Sequence, residues 1–272
     1  MLAVQPTPSA DLLHRLGSVS FHQGDFQVSR TYLLKALEVE PLHSAALETL
    51  QALLTETKEW EDAMLIAVRR FPNSSGEKRR AVLTSIGELA TNLSTDGTAL
   101  SELARVVPTE DLPLSVKRLL VEKMLGDREY ERVIELLDDL AEQARKGRKM
   151  SEVAEYNIKL GDAYRALGQV EEAANALQKA FRVQPSNMSV MSSLGALHVE
   201  MEDWQSARRV YRSMVLQTFT EESPVSKAFV YRQLGFVHEQ LGEVSQAKNM
   251  YQRGLDLKPG DEALLEAIAK LS

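Results

Sequence analysis

Cysteine does not occur among the 272 residues of this sequence. Its absence excludes disulfides, thiolate metal sites and cysteine nucleophiles, and it leaves the redox compartment open. Long apolar runs are missing too, since no stretch reaches the roughly 18 consecutive apolar residues that a membrane-spanning helix needs. The first residues, MLAVQPTPSADLL, have no basic residue before an apolar core. We therefore expect no signal peptide and no membrane partner, and we predict a cytoplasmic protein.

Aromatic residues make up only 6% of the chain, and acidic residues outnumber basic ones to give a net charge of −7. The scarcity of aromatics, together with abundant leucine and alanine, favours an all-helical protein over a sheet protein. The negative charge argues against a nucleic-acid surface as the main role, so no nucleic-acid partner is expected.

Sequence motifs of catalysis are also missing. Residues 76–80 lack the preceding glycine and the following Ser/Thr of a phosphate-binding loop, and neither G-x-S-x-G nor H-E-x-x-H occurs. His14 and His22 lie eight residues apart without further ligands in the pattern, so surface histidines are favoured over a metal site. Adjacent acids such as Glu171 and Glu172 point apart on a helix and read as solvated faces. We expect no enzyme activity, no cofactor and no metal.

Residues 154–185 contain the pattern that organises the chain. A first helix carries Leu160 and Tyr164 on one face, and Gly161 lies between them, where a neighbouring helix would leave no room for a Cβ atom. Gly168 is suited to ending this helix, because glycine adopts a left-handed φ easily. The second helix has small and apolar residues at helical spacing, and a proline ends the unit. These residues are Ala173, Leu177, Ala180 and Pro185.

The pattern recurs along the chain. Gly161, Gly195 and Gly235 are separated by 34 and 40 residues, and the spaced alanines and the Leu177, Tyr211 and Tyr251 positions keep the same intervals. Periods of this size are typical of stacked helical hairpins that bury their apolar faces on each other. In these features, and in the Leu-Gly pair of each first helix, the segments resemble tetratricopeptide (TPR) repeats.

This resemblance implies an all-α fold, a right-handed α-solenoid of about seven TPR-like hairpins plus a C-terminal capping helix. The hairpins are predicted to begin near residues 10, 44, 80, 114, 154, 188 and 228, and the capping helix covers 262–271 with Asp261 as a candidate N-cap. The third hairpin rests on Gly87, followed by Ala99 and Leu103 at the spacing of the reference unit.

The match is uneven, so we predict five parts. Residues 1–9 form a loose lead-in, 10–72 an N-terminal TPR pair, 73–150 degenerate TPR-like hairpins, 151–259 three clear repeats, and 260–272 the capping helix. Gln51 stands in place of the second glycine. In the fourth hairpin Val121 and Val133 replace the glycine and the alanine, which suggests a flexible joint around residues 109–150.

In TPR proteins the first helices line a concave groove that binds a partner protein or peptide. By register, the resemblance implies a scaffold or adaptor whose groove includes Ile158, Asp162, Arg165, Ser192, Val199, Phe229, Arg232, Phe236 and Glu239. Phe229, Arg232 and Phe236 form one stripe that suits a segment with apolar side chains and a carboxylate. The alternative for the two rings is packing against the cap hairpin. The Lys/Asn pattern that clamps chaperone C-termini in some TPR proteins is not evident.

Two other functions remain open. A regulatory peptide sensor would use the same groove and change its superhelical shape on binding. A nucleic-acid-binding helical repeat would use two basic clusters, residues 69–70 with 78–80 and residues 145–149, although charges in connections normally only keep loops solvated.

The repeat register also predicts how single side chains pack. His198 and His238 take the place of Tyr164 and are expected to be partly packed. Ala207 is expected between hairpins and Ala176 on the outer side.

Overall fold

A computed structural model describes residues 8–271 of the chain, and within these residues all regular structure is helical. The first part of the chain contains α1 (Ala10–His22), α2 (Phe26–Val39), α3 (Ser44–Glu56), α4 (Trp60–Arg70), α5 (Gly76–Leu89), α6 (Thr98–Val106) and α7 (Leu114–Gly126). The second part contains α8 (Tyr130–Lys146), α9 (Met150–Ala166), α10 (Val170–Val183), α11 (Met188–Glu200), α12 (Trp204–Val215), α13 (Lys227–Gln240), α14 (Val244–Leu257) and α15 (Glu262–Lys270). The predicted all-α solenoid class is confirmed.

The chain divides into two compact units, the first ending at Asp127 and the second beginning at Arg128. The first unit holds α1–α7 and the second holds α8–α15. The two helices of the fourth predicted hairpin, α7 and α8, therefore belong to different units. Both of the valines that replace the small residues of the repeat are buried, Val121 in the first unit and Val133 in the second. The five-part division and the flexible joint remain predictions.

Close contacts between a glycine and a bulky side chain build the hairpins of the second unit. A Cβ atom added to Gly195 would lie 2.8 Å from Tyr211 Cζ, and one added to Gly235 would lie 2.5 Å from Tyr251 Cε1. Real Cβ atoms do not approach other atoms so closely, which explains why glycine occupies these helix interiors despite its low helix propensity. The predicted role of the recurring glycines is confirmed here.

Tight turns between the paired helices share one backbone feature. Gly168, between α9 and α10, has φ +73, and glycine also supplies a positive φ in the turns after α1 and α13. Lys58, Arg148 and Glu202 adopt the same left-handed conformation, with φ between 56 and 61. Because this conformation costs L-residues free energy, these turns depend on the packing of the helices that they join.

The third predicted hairpin is wrong in its pairing. Helix α6 packs on α4, whereas α5 packs against α4 and α7. A Cβ atom on Gly87 would face Pro113 at 3.2 Å, not Leu103. A distant cap accompanies this packing, since the Glu61 carboxylate of α4 accepts a hydrogen bond of 2.6 Å from the Ala99 backbone N–H at the start of α6.

Gln51 fills the position that a glycine has in the other hairpins. Its side chain is buried, donates a hydrogen bond of 2.9 Å to Ser85 Oγ and accepts one from Arg70. The amide thus connects α3 with α4 and α5. A buried amide with partners on both sides satisfies its polar atoms, which explains how a polar residue replaces the glycine.

Two smaller predictions have opposite outcomes. Ala207 is fully buried as expected, but Ala176 is only 4% exposed and does not lie on the outer side. Helix α10 packs against both α9 and α11, so two of its faces are covered.

The capping helix is confirmed as α15, and Asp261 accepts a hydrogen bond of 3.3 Å from the Leu264 N–H as its N-cap. Most of the predicted lead-in lies outside the described residues, and Ser9 is the N-cap of α1.

Candidate partner-binding surfaces

One face of α13 carries the predicted stripe. Phe229, Arg232, Phe236 and Glu239 follow each other at helical spacings and are all partly buried. The guanidinium carbon of Arg232 lies 5.5 Å from the centre of the Phe229 ring, within the range of a cation–π contact. The stripe therefore combines a positive charge with apolar rings on a single rigid helix.

The two rings of this stripe rest on the preceding hairpin. Phe236 meets Trp204, the first residue of α12, edge to face at 5.9 Å between ring centres. Phe229 packs against the core cluster that contains Tyr211 and Leu234. The described contacts of both rings thus hold them in place from one side, and part of each ring still reaches solvent.

Glu239 at the end of the stripe is tied to the second helix of its hairpin. The Tyr251 hydroxyl donates a hydrogen bond of 2.7 Å to Glu239 Oε2. Burial and the neighbouring carboxylate raise the pKa of Tyr251 well above its ordinary value of 10. The phenol therefore stays a donor, and Glu239 joins α13 to α14 as well as facing the stripe.

The earlier first helices contribute a mixed surface. Ile158 and Val199 are partly buried and pack against the same core cluster as Phe229, whereas Asp162 and Arg165 are exposed. Desolvation raises the pKa of the Asp162 carboxyl although the side chain reaches solvent, and Arg165 opposes this shift.

No row of cations runs across the three first helices. Ile158, Ser192 and Arg232 occupy the same register, and only the last of them is basic. Ser192 is partly buried in α11. A single arginine suits one carboxylate, which agrees with the absence of the chaperone-clamp pattern from the sequence.

The two histidines at the Tyr164 position are packed, as predicted. His238 is buried, and its Nδ1 lies 2.5 Å from Glu243 Oε2. The other carboxylate oxygen of Glu243, Oε1, accepts a hydrogen bond of 2.9 Å from Arg208. His198 Nδ1 is 3.6 Å from Asp203 Oδ2. Burial lowers the pKa of His198 below its ordinary value of 6.5, because the charged form is poorly solvated there.

Most arginines of the predicted basic clusters have partners inside the chain. Arg70 donates to Gln51, and Arg79 forms an ion pair of 2.9 Å with Asp111 while its guanidinium covers the Phe71 ring. Arg145 pairs with Glu142 at 2.8 Å. These arginines are engaged inside the chain, and Lys78 and Arg80 of the first cluster remain exposed.

A different set of basic residues lies on the second helices of the hairpins, and the sequence analysis did not predict it. We call Lys179, Arg182, Arg209, Arg212 and Arg253 the basic row. They line three cavities of the second unit, of about 560, 390 and 570 Å³. A sequence signal for the row exists, because no acidic residue lies three or four positions from any of them, apart from Asp256, which follows Arg253 by three positions and accepts a hydrogen bond from Gln252. Such neighbours are present for the paired Lys123 and Lys146.

In the described part of the chain, no three side chains of the metal-binding types gather into a potential metal site. Over the same residues, no helix combines the length and the apolar character needed to cross a membrane.

Comparison with family models agrees with the repeat reading. A model described as "TPR repeat" matches residues 161–201. A second, described as "Tetratricopeptide repeat", matches residues 10–41 and 230–261. The matched segments contain the glycines of the first, fifth, sixth and seventh predicted hairpins.

Known proteins show the same kind of similarity. The Hsp70-Hsp90 organizing protein of Triticum aestivum is 23% identical over 265 residues, which cover 93% of this chain and 42% of that protein. The structure of Naa15/Naa10 bound to HypK-THB superposes with a TM-score of 0.57 at 15% identity, over 96% of this chain and 39% of that one. The crystal structure of MamA aligns with a TM-score of 0.46 at 18% identity, over 56% of this chain and 81% of that one. The chain thus spans about two fifths of the length of the first two proteins. The superposition with the Naa15/Naa10 structure shows a shared fold.

Proposed function

Because this chain is a tetratricopeptide-repeat protein, we propose that it is an adaptor without catalytic activity that binds a segment of a partner protein along α9, α11 and α13. The proposed contact residues are those predicted from the repeat register. They are Ile158, Asp162, Arg165, Ser192, Val199, Phe229, Arg232, Phe236 and Glu239.

The observation that carries the proposal is the environment of Arg232. This side chain is partly buried beside Phe229, and among the described residues it forms no ion pair, although its charge contributes to the lowered pKa of Asp261. A guanidinium in such a place can donate two parallel hydrogen bonds to a carboxylate, and the flanking rings can cover apolar side chains on either side of it. An extended or helical segment with one acidic residue between apolar ones matches this arrangement.

Rigidity of the stripe favours binding. Trp204 supports Phe236 from α12, and the hydrogen bond from Tyr251 holds Glu239 in place. A surface whose rotamers are fixed before the partner arrives loses little conformational entropy on binding. Binding free energy is then limited mainly by the ordering of the partner segment.

The name of the Triticum aestivum relative supports a role in bringing proteins together, and we propose this role for the present chain. We do not extend the proposal to a tail with several carboxylates. Such a ligand needs several cations in register, and the first helices here offer Ile158, Ser192 and Arg232 at the equivalent positions.

Affinity capture from cell extract with quantitative mass spectrometry tests the proposal. Arg232→Glu should remove the captured partner, because it places a negative charge opposite the partner's carboxylate. Lys270→Glu is the matched control, since it reverses an exposed charge near the end of α15 and should retain the partner. Equal capture by both variants and the wild type would refute the site.

A peptide from the captured partner separates the adaptor from the sensor alternative. Small-angle X-ray scattering with and without the peptide should give the same radius of gyration for an adaptor with a preformed surface. A clear change in scattering would favour the regulatory sensor instead.

A further inference from the structure

The cavities between successive second helices form a connected series in the second unit. The cavity of about 560 Å³ is lined by α8, α9 and α10, and that of about 390 Å³ by α10, α11 and α12. The cavity of about 570 Å³ is lined by α12, α13 and α14. Arg182 lines the first two cavities and Arg209 the last two, so the basic row joins all three.

No residue of the basic row forms an ion pair within the described part of the chain. Arg209 donates a hydrogen bond of 2.9 Å to the Ser206 hydroxyl, and its charge contributes to the lowered pKa of Asp203 without an ion pair between them. No ion pair involves Lys179, Arg182, Arg212 or Arg253 among the described residues. By contrast, the neighbouring Arg208 is paired with Glu243. Unpaired arginines clustered in a protein with a net charge of −7 indicate a local site for negative charge.

The positive charge increases along the series. The first cavity also has Asp138 and Glu142 in its lining, and Glu142 is paired with Arg145. The third cavity has three arginines, Arg209, Arg212 and Arg253, and no acidic residue in its lining. The strongest attraction for an anion is therefore at the third cavity.

Apolar side chains form the floor of this third cavity. Tyr231 and Leu234 are buried beneath it, and Val215 and Met250 are partly buried at its sides. Leu216 at its rim is 84% exposed, the highest exposure among the large hydrophobic residues described. An occupant must therefore offer apolar side chains as well as negative charges.

These features favour protein over nucleic acid. Single strands are usually held by stacking on exposed aromatic rings, and Tyr231 in this cavity is a buried residue, only 8% exposed. Phosphates would pair with the arginines but would leave Leu216 and the apolar floor uncovered. An amphipathic segment with acidic and apolar residues satisfies both parts of the surface.

We propose that the basic row, with the apolar floor of the third cavity, is a second docking surface that binds an acidic amphipathic segment of a partner protein. Its basic residues lie on the second helices, and the floor residues Tyr231 and Leu234 of α13 are not members of the stripe around Arg232. The chain would then hold two protein segments at once, which goes beyond the single-site adaptor proposed above.

Fluorescence anisotropy with the full chain tests this inference. The probe is a fluorescein-labelled helical peptide of about 20 residues with leucines at spacings of three and four and glutamate at its polar positions. R182E/R212E/R253E should weaken its binding at least about tenfold, since three attractive charges become repulsive. K35E/K78E/R80E makes the same change in net charge at exposed sites in the first unit and should bind the peptide like the wild type. Circular dichroism verifies that both triple variants are folded.

The other arms decide between occupants and between sites. Replacing glutamate by glutamine in the peptide should abolish row-dependent binding. Arg232→Glu should leave unchanged the difference in peptide affinity between chains with the intact basic row and chains with R182E/R212E/R253E. Equal binding by the wild type and R182E/R212E/R253E would overturn the proposal. Preferential row-dependent binding of a single-stranded DNA oligonucleotide or of phosphatidylserine vesicles would also overturn it. Loss of peptide binding in Arg232→Glu alone would assign the peptide to the first-helix stripe instead.

Discussion

Gly235→Ala should destabilise the seventh predicted hairpin although alanine is the better helix former. The new Cβ atom would lie 2.5 Å from Tyr251 Cε1 and 2.6 Å from Cδ1. The ring cannot move aside easily, because it is only 2% exposed and its hydroxyl is bonded to Glu239. The helix pair must therefore separate.

The size of this effect follows from two opposing contributions. Overpacking a well-filled core costs about 1–3 kcal/mol, and contact with a fixed ring below normal van der Waals distance places this case near the upper value. The gain in helix propensity from glycine to alanine returns about 1 kcal/mol. We expect a net destabilisation of about 2 kcal/mol, equivalent to a roughly 30-fold shift in the local opening equilibrium.

Hydrogen exchange of the α13 and α14 amides is the appropriate assay, because a chain with two compact units need not unfold in one step. Gly126→Ala is the control, since nothing lies within 4 Å of a Cβ atom added there and the residue is helical. It should be neutral or slightly stabilising. In a Tyr251→Ala background no ring faces the new methyl group, so Gly235→Ala should cost less than in the wild type. Unchanged or increased protection in Gly235→Ala would refute the close-packing argument.

Three further changes test other parts of the structure. Ala207→Leu should lower the free energy of unfolding in a urea titration by about 1–3 kcal/mol, because it overpacks a fully buried position. Ala166→Leu, on an exposed face, should be nearly neutral in the same titration. Equal effects of the two variants would disprove the predicted repeat register. Gly168→Ala should lower stability by about 1 kcal/mol from its positive φ alone, because no atom lies near the added methyl; an unchanged urea midpoint would contradict this. Burial lowers the pKa of His198 in the folded chain, so below pH 6.5 the unfolded chain binds more protons at this residue than the folded chain does. His198 therefore makes the free energy of unfolding fall as the pH drops below 6.5. His198→Tyr should reduce that dependence in urea midpoints measured between pH 8 and pH 5, and an identical pH profile would show that the ring is not poorly solvated.

Local features of the fold could be predicted from the sequence, because they depend on neighbours within one hairpin. The glycines opposite Tyr211 and Tyr251 lie a fixed distance away along the chain, and the positive φ of Gly168 follows from a turn between two helical patterns. The N-cap at Asp261 is equally local. Such signals are readable without knowledge of distant contacts.

Features that depend on distant contacts could not be predicted. Glu61 caps α6 across 38 positions of sequence, and α6 packs on α4, although the spacing from Gly87 fits a regular repeat. Ala176 is buried because α10 is covered by helices on both sides.

For the candidate surfaces, register placed Arg232 and its flanking rings on one helix face. It did not show that Trp204 supports Phe236. The basic row was missed because its residues come from three separate second helices, and only the cavities bring them together.

Site-specific photo-crosslinking tests the central proposal most directly. The photoreactive residue p-benzoylphenylalanine replaces the exposed Asp162 on α9 in one variant and the exposed Gln246 on α14 in another, and Arg232 stays intact in both. Illumination in cells should link a partner protein to position 162 and not to position 246, and unlabelled segment from that partner should suppress the product. The same products from both positions, or none from position 162, would contradict partner binding along the first helices.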